Sequence, residues 1–312
     1  MKKVALIAIG GNSIIRAGQR GTIPEQFENV VKTSEQIVQL YKLDYDVIIT
    51  HGNGPQVGAT LLRSELASAQ VYTEPLDVCV ADTQGSMGYM IQHGIQNVMA
   101  HHNIKVGVAT IVTQVVVDKS DPGFQKPNKP IGPFYSKDES EKKVIELGWK
   151  MVEDAARGYR RVVPSPIPLE IVEEEFIKSC IEKDLIVIAV GGGGIPVVRE
   201  NGKLVGVEAV IDKDRASSLL ASRIGANVFI ISTDAEHVCL NYKKPNQVNL
   251  GKISLQEVKQ YYSEGHFPAG NMGPKIEAAI NFLENGGNEV IITTPEKLVE
   301  AIQGKTGTHI SR

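Results

Sequence analysis

Cysteine is scarce in this chain of 312 residues, with three in all: Cys79, Cys180 and Cys239. They are odd in number and far apart. They form neither a disulfide framework nor a CxxC metal pattern, so a reducing, cytoplasmic compartment is expected. Aromatic residues make up 5% and tryptophan occurs once. No apolar run approaches the roughly 18 residues of a membrane span, which excludes the membrane as a partner. The net charge of −3 leaves no basic surplus to recruit nucleic acid. The opening MKKVALIAIGGN starts like a signal peptide, but its apolar run stops at Gly10-Gly11. No small-residue cleavage site follows, so a strand is expected there. Internal repeats and low-complexity linkers are also missing.

Glycine is the residue in excess: 30 in 312, roughly 10% against about 7% in average proteins. Val- and Ile-rich runs at 4–9, 47–50, 106–117, 185–190, 228–232 and 290–293 read as strands. They mostly lack alternation, as strands covered on both faces do. Between them lie apolar stripes at helical spacing, through Phe27–Tyr41, Met87–Val98, Ala216–Ile224 and Ile276–Leu283. Strand and helix alternate, which predicts a largely parallel sheet with helices on both faces. Two stretches break the pattern. Residues 118–136 carry Pro122, Pro127, Pro130 and Pro133, which exclude a helix or a central strand. A protruding subdomain over 118–164 is expected. Asn201-Gly202 between apolar flanks signals a hairpin. A lobe boundary is placed near Gly191, giving an N-terminal lobe over 1–190 and a C-terminal, nucleotide-binding lobe over 191–312.

Three glycine clusters follow predicted strands: Gly10-Gly11-Asn12, Gly52-Asn53-Gly54 and Gly191–Gly194, with Gly192 and Gly193 at its centre. Glycine at the carboxyl end of a strand lets the backbone approach a ligand with its N–H groups exposed. In parallel sheets that edge is where ligands bind. The standard nucleotide motifs are absent. Gly304-Lys305-Thr306 resembles the tail of a P-loop, but Val299 stands where the first glycine belongs. Gly52-Asn53-Gly54 is followed by Gly58 one residue too late for GxGxxG. Classical P-loop and dinucleotide readings are therefore disfavoured.

Two lysines sit where helix physics disfavours them. Asp212 reads as an N-cap with Lys213 in the first turn, and Pro274 is suited to the first position of a helix carrying Lys275. A cation there opposes the macrodipole by roughly 0.3–1 kcal/mol. A bound anion reverses the sign, since amides and ammonium attract it together. Asp214 would hold Lys213, or be an ordinary first-turn acid. Lys126 and Lys129 lie in the proline-rich segment and read either as surface lysines or as lysines presented over a crevice. His51 adjoins a glycine turn and reads as structural. The histidines show no metal spacing. Glycine amides and lysines together suggest phosphoryl transfer, which needs positioning and charge neutralisation more than covalent help.

The motifs AIGGN (8–12), THGNGPQVG (50–58), KPNKPIGPFY (126–135), RRVVPSP (160–166), AVGGGGIPV (189–197), VIDKDRAS (210–217) and GPKIEAA (273–279) together resemble the carbamate kinases of the amino acid kinase superfamily. The resemblance runs along essentially the whole chain. It implies an open αβα sandwich with a central sheet of about eight strands, a protruding subdomain and a homodimer. It implies reversible phosphoryl transfer between MgATP and carbamate, giving ADP and carbamoyl phosphate, used to make ATP in catabolism of arginine or purine-derived compounds. By motif, Gly10, Gly11 and Asn12 would contact the transferring phosphoryl group. Gly52, Asn53 and Gly54 would hold carbamate, with Gly192 and Gly193 on the same phosphate-binding surface. Lys129, Lys213 and Lys275 would neutralise charge and Asp214 would orient the lysines. Ser232, Thr233, Asp234, Tyr242 and Met272 would lie at the nucleotide. Mg2+ would be held mainly through phosphate oxygens and water. Asn271 and Ile167 depart from commoner forms of the motifs. The rival readings are another superfamily kinase acting on a larger carboxylate, and a non-catalytic nucleotide sensor.

Overall fold

The structure is a computed structural model that describes residues 2–16, 18–153, 158–267 and 272–312, apart from the side chain of Asn12. The first half of the chain runs β1 (Lys3–Ile9), α1 (Ile23–Lys42), β2 (Tyr45–His51), α2 (Gly54–Ala67), α3 (Leu76–His101), β3 (Val108–Thr110) and β4 (Gln114–Val117). An excursion follows: β5 (Lys129–Tyr135), α4 (Lys137–Leu147), β6 (Met151–Glu153), β7 (Tyr159–Val163) and β8 (Pro168–Ile171). Then come α5 (Glu174–Glu182), β9 (Ile186–Ile188), β10 (Ile195–Glu200), β11 (Lys203–Gly206), α6 (Lys213–Arg223) and β12 (Val228–Ser232). The chain closes with β13 (Cys239–Leu240), β14 (Val248–Asn249), β15 (Lys252–Ser254), α7 (Leu255–Ser263), α8 (Met272–Glu284), β16 (Glu289–Thr293), α9 (Leu298–Ile302) and β17 (Thr308–Ser311).

Eight strands form the main sheet in the order β15-β17-β16-β12-β1-β2-β9-β3, parallel except where β17 meets β16. Its strands lack alternation because both faces are covered. Leu6 and Ala8 of β1 pack into one core with α6, α7 and α8, while Ala5, Ile7 and Ile9 pack into the other with α1, α3 and α9. This is the expected αβα sandwich. The chain leaves β1 toward β2 and β9 on one side and reaches β12 and β16 on the other. Strand order thus reverses at β1, and Ile9 stands level with both His51 and Ser232. A crevice at the carboxyl ends follows from this topology.

Two expectations need correction. The run 106–117 is two strands in two sheets, not one: β3 lies in the main sheet and β4 in a four-stranded sheet ordered β11-β10-β4-β8. The break has a polar cause. Between the two strands Gln84 accepts the Thr113 N–H at 2.7 Å, while the Thr113 carbonyl accepts from Gln84 Nε2 at 3.0 Å and from the Ile195 N–H at 2.9 Å, so the backbone passes from one sheet to the other here. Pro274 is the third residue of α8 rather than the first. It is still in the first turn, where the N–H that proline lacks would have had no intrahelical acceptor. The proline-rich segment contributes β5, an edge strand of a three-stranded sheet ordered β5-β7-β6, which agrees with the exclusion of a central strand. Asn201 and Gly202 turn the β10–β11 hairpin with φ of +50° and +77°.

Candidate active site

Three glycine turns and two helix starts meet at the carboxyl ends of β1, β2 and β12. Gly10 passes so close to β12 that a Cβ on it would sit 2.7 Å from the Ser232 carbonyl oxygen. A Cβ on Gly52 would touch the Lys213 stem at 3.5 Å. Gly192, at φ +67°, lies where a Cβ would meet the Asn53 side-chain amide nitrogen at 2.2 Å, and a Cβ on Gly193 would meet the Ile211 carbonyl oxygen at 2.3 Å. The turns after β1, β2 and β9 are therefore in contact with one another or with the segment leading into α6.

That segment places the charges. Asp212 caps α6, its Oδ1 accepting from the N–H groups of Asp214 and Arg215 at 2.9 and 3.3 Å. Its Oδ2 lies 2.5 Å from Nζ of Lys129, which arrives from β5. Sequence reasoning gave Asp212 only the capping role; the partnership across the crevice carried no local signal. Asp214 stands between the other two lysines, with Oδ1 2.8 Å from Lys213 Nζ and Oδ2 3.1 Å from Lys275 Nζ. Lys213 also donates weakly to the Ala8 carbonyl at 3.4 Å. Burial would raise the Asp214 carboxyl, but the two ammonium groups outweigh it and hold it well below the usual carboxylate range. Burial also opposes the charge on Asp212, where Lys129 tips the balance downward. Lys213 is pulled down by burial despite Asp214. Burial opposes the Lys275 charge too, yet Asp214 and Asp212 raise its pKa on balance. Three ammonium groups and two carboxylates are thus joined in one chain of ion pairs beside the glycine turns.

The remaining predicted positions are scattered in quality. Thr233 donates from its N–H to the Thr293 carbonyl at 2.9 Å and from its hydroxyl to Asp234 at 3.1 Å. Asp234 adds to the field at Lys275. Ser232 ends β12, its hydroxyl 3.3 Å from that of Ser13. Met272 opens α8 and packs partly against the core. Gly11 is exposed and begins a short 3-10 turn with Asn12. Tyr242 is exposed, with the Lys243 ammonium 5.4 Å from its ring centroid. Among the described residues, no contact joins Tyr242 to the lysine cluster. The Asn12 side chain and Asn271 lie outside the described residues. The Gly52 N–H donates to the Ile9 carbonyl at 3.1 Å, so the donors of that turn are those of Asn53 and Gly54. Asn53 also donates from Nδ2 to the Thr83 hydroxyl at 2.8 Å.

Among the described residues there is no group of three or more His, Cys, Asp or Glu side chains placed to hold a metal. Both crevice carboxylates face ammonium groups. A divalent cation therefore fits here only as the companion of a phosphate-bearing ligand. No helix among those residues is long and apolar enough to cross a membrane.

A parallel sheet with a switch-point crevice, glycine turns and helix-borne lysines defines an α/β protein that binds phosphate-bearing ligands. A profile of the amino acid kinase family matches residues 3–294. A carbamate kinase of Thermococcus kodakarensis is 52% identical over the full length of both chains. The structure of carbamate kinase from Giardia lamblia bound to AMP-PNP is 43% identical, with a TM-score of 0.91 over 99% of this chain and 98% of that one. The same enzyme bound to citric acid gives 42% and 0.95 over the same shares. The chain belongs to the amino acid kinase family, in its carbamate kinase group. It is by that membership an enzyme of phosphoryl transfer.

Proposed function

We propose that this chain catalyses reversible phosphoryl transfer between MgATP and carbamate. The observation that carries the reading is the Lys213–Asp214–Lys275 array beside the glycine turns. In the forward direction a carbamate oxygen attacks the γ-phosphorus as the bond to the β,γ-bridging oxygen breaks. The acceptor is already an oxyanion, so no general base is needed. Charge moves from the acceptor through the phosphoryl oxygens to ADP, and catalysis is positioning plus neutralisation. Lys213 and Lys275 meet the phosphoryl oxygens, Asp214 keeps the two ammonium groups apart and aimed, and Lys129 closes from β5. Gly10, Gly11 and Asn12 line the phosphoryl path, and Asn53 and Gly54 hold the acceptor beside Gly192 and Gly193. Ser232, Thr233, Asp234, Tyr242 and Met272 form the nucleotide side. Mg2+ would accompany the nucleotide and neutralise its phosphates, with its other ligands from water.

The same reading divides the chain into an acceptor lobe over 1–190, a subdomain over 118–164 and a nucleotide lobe over 191–312. It makes the protein a cytoplasmic homodimer that forms ATP during catabolism of arginine or purine-derived carbamoyl compounds. The test is a coupled assay for ATP formation from MgADP, with carbamoyl phosphate compared against acyl phosphates. Carbamoyl phosphate is the expected substrate. Tight nucleotide binding without turnover of any of these donors would identify a sensor instead.

A further inference from the structure

His51 ends β2 with its side chain wholly buried, and the reaction outlined above gives it no task. Its Nδ1 lies 3.2 Å from the carbonyl oxygen of Gly52. A carbonyl oxygen only accepts, so Nδ1 carries the proton and Nε2 is a bare acceptor. That Nε2 is buried with no hydrogen-bond partner. The ring instead packs against a second glycine turn: a Cβ built on Gly191 would sit 2.4 Å from Nε2. Gly191 is also held by Gln84, whose Nε2 donates to the Gly191 carbonyl at 3.0 Å. Thr113, which Gln84 also holds, accepts the Val190 N–H on its hydroxyl at 3.0 Å. Burial lowers the His51 pKa to about 4, so the ring is neutral at ordinary pH.

An orphaned buried acceptor is a cost that a leucine in this place would avoid. The hydrogen bond to Gly52 is what a leucine would lose. A trans peptide unit is planar, with its C=O and N–H on opposite sides. Holding the Gly52 carbonyl toward the imidazole turns the Asn53 N–H away from it. The Gly52 N–H is already taken by Ile9. Among the described residues the Asn53 N–H has no protein acceptor, which makes it the first donor this turn can offer a ligand.

We propose that His51 is a positioning residue for the phosphoryl acceptor. Its Nδ1–H locks the Gly52–Asn53 peptide so that the Asn53 N–H faces the acceptor oxyanion, and its ring sets the spacing of the turns after β2 and β9. The identity of the acceptor rests on the kinase reading; the locked peptide does not.

Two measurements decide it. Imidazole 15N NMR on the wild-type chain reads the tautomer of His51. A protonated Nδ1 is expected, and a protonated Nε2 would overturn the inference whatever the enzyme does. The second compares His51→Leu with His51→Asn, whose Nδ2 replaces the Nδ1 donor. His51→Leu is expected to lose at least ~10-fold in kcat/KM for carbamoyl phosphate, the scale of a mispositioned donor, with MgADP affinity by calorimetry unchanged. His51→Asn is expected to recover most of that loss. Equal, near wild-type turnover in both variants would refute the positioning role. Wild-type chain that binds MgADP but does not use carbamoyl phosphate would refute the kinase reading, and the tautomer then decides the His51 geometry alone.

Discussion

A single carboxylate, Asp214, keeps two buried ammonium groups within 2.8 and 3.1 Å of its oxygens. Without it Lys213 and Lys275 would repel each other and lose charge to burial; with it they stand ready for phosphate without rearrangement. Replacing Lys213 or Lys275 by alanine is therefore expected to lower kcat by ~100-fold or more. Steady-state kinetics in both directions checks this, and near-normal turnover in both variants would remove the lysines from the mechanism. These residues were legible in the sequence because each is a local anomaly, a cation in the first turn of a helix. Gln84 and Thr113 were not. Gln84 lies on α3 among buried apolar residues, where a stripe reads as core packing. Its two backbone partners are 29 and 107 residues away, so nothing nearby announces them. Lys129 stood in between: the sequence raised it as a candidate, but only the fold brings it to Asp212.

Backbone meets backbone where α2 crosses β5. A Cβ on Gly58 would lie 2.0 Å from the Gly132 backbone nitrogen, and Gly132 itself has φ +72°. Backbone cannot yield as a flexible side chain can. Gly58→Ala is expected to destabilise the protein by about 1–3 kcal/mol, as overpacking does, and to lower turnover because β5 carries Lys129. Denaturant unfolding together with kinetics tests both effects; an unchanged midpoint would show that the strand moves freely. At the far end of the sheet, His309 of β17 faces the Glu289 carboxylate from Nδ1 at 2.7 Å and the Thr306 carbonyl from Nε2 at 3.0 Å. Both partners accept, so these contacts favour the imidazolium. Its hydrogen bond to Glu289 raises its pKa above 6.5, and the same bond lowers Glu289 below 4.5. The His309 contribution is complete below pH 6.5 and fades as pH rises through the raised value. That of Glu289 is present above 4.5 and fades as pH falls through the lowered one. The melting temperature of wild type relative to His309→Gln should be highest between those limits and decline on the alkaline side. A flat difference would show that the pair contributes nothing. The helices bearing apolar stripes and the Asn201-Gly202 hairpin were legible by period and turn chemistry. The break between β3 and β4 was not, since valines run through it and the interruption comes from a side chain elsewhere.

The whole molecule is organised around β1, whose apolar run KVALIAI precedes its sheet partners in the sequence and lies at the centre of the sheet. One of its edges is closed by β2 soon after, but the other waits for β12, with Ala5 paired to Val228. About 180 residues separate the two events, roughly 10–35 s of synthesis at ordinary ribosomal speed. For that interval the nascent chain carries an open, strongly apolar strand edge, the kind of template on which chains join one another. A fragment ending at residue 190 has that edge permanently. It is expected to be recovered as aggregate, and a monodisperse, soluble fragment on size exclusion would contradict this. The centrality of β1 thus makes the folding of this protein a matter of timing, because the strand that covers its second edge is synthesised long after β1 itself.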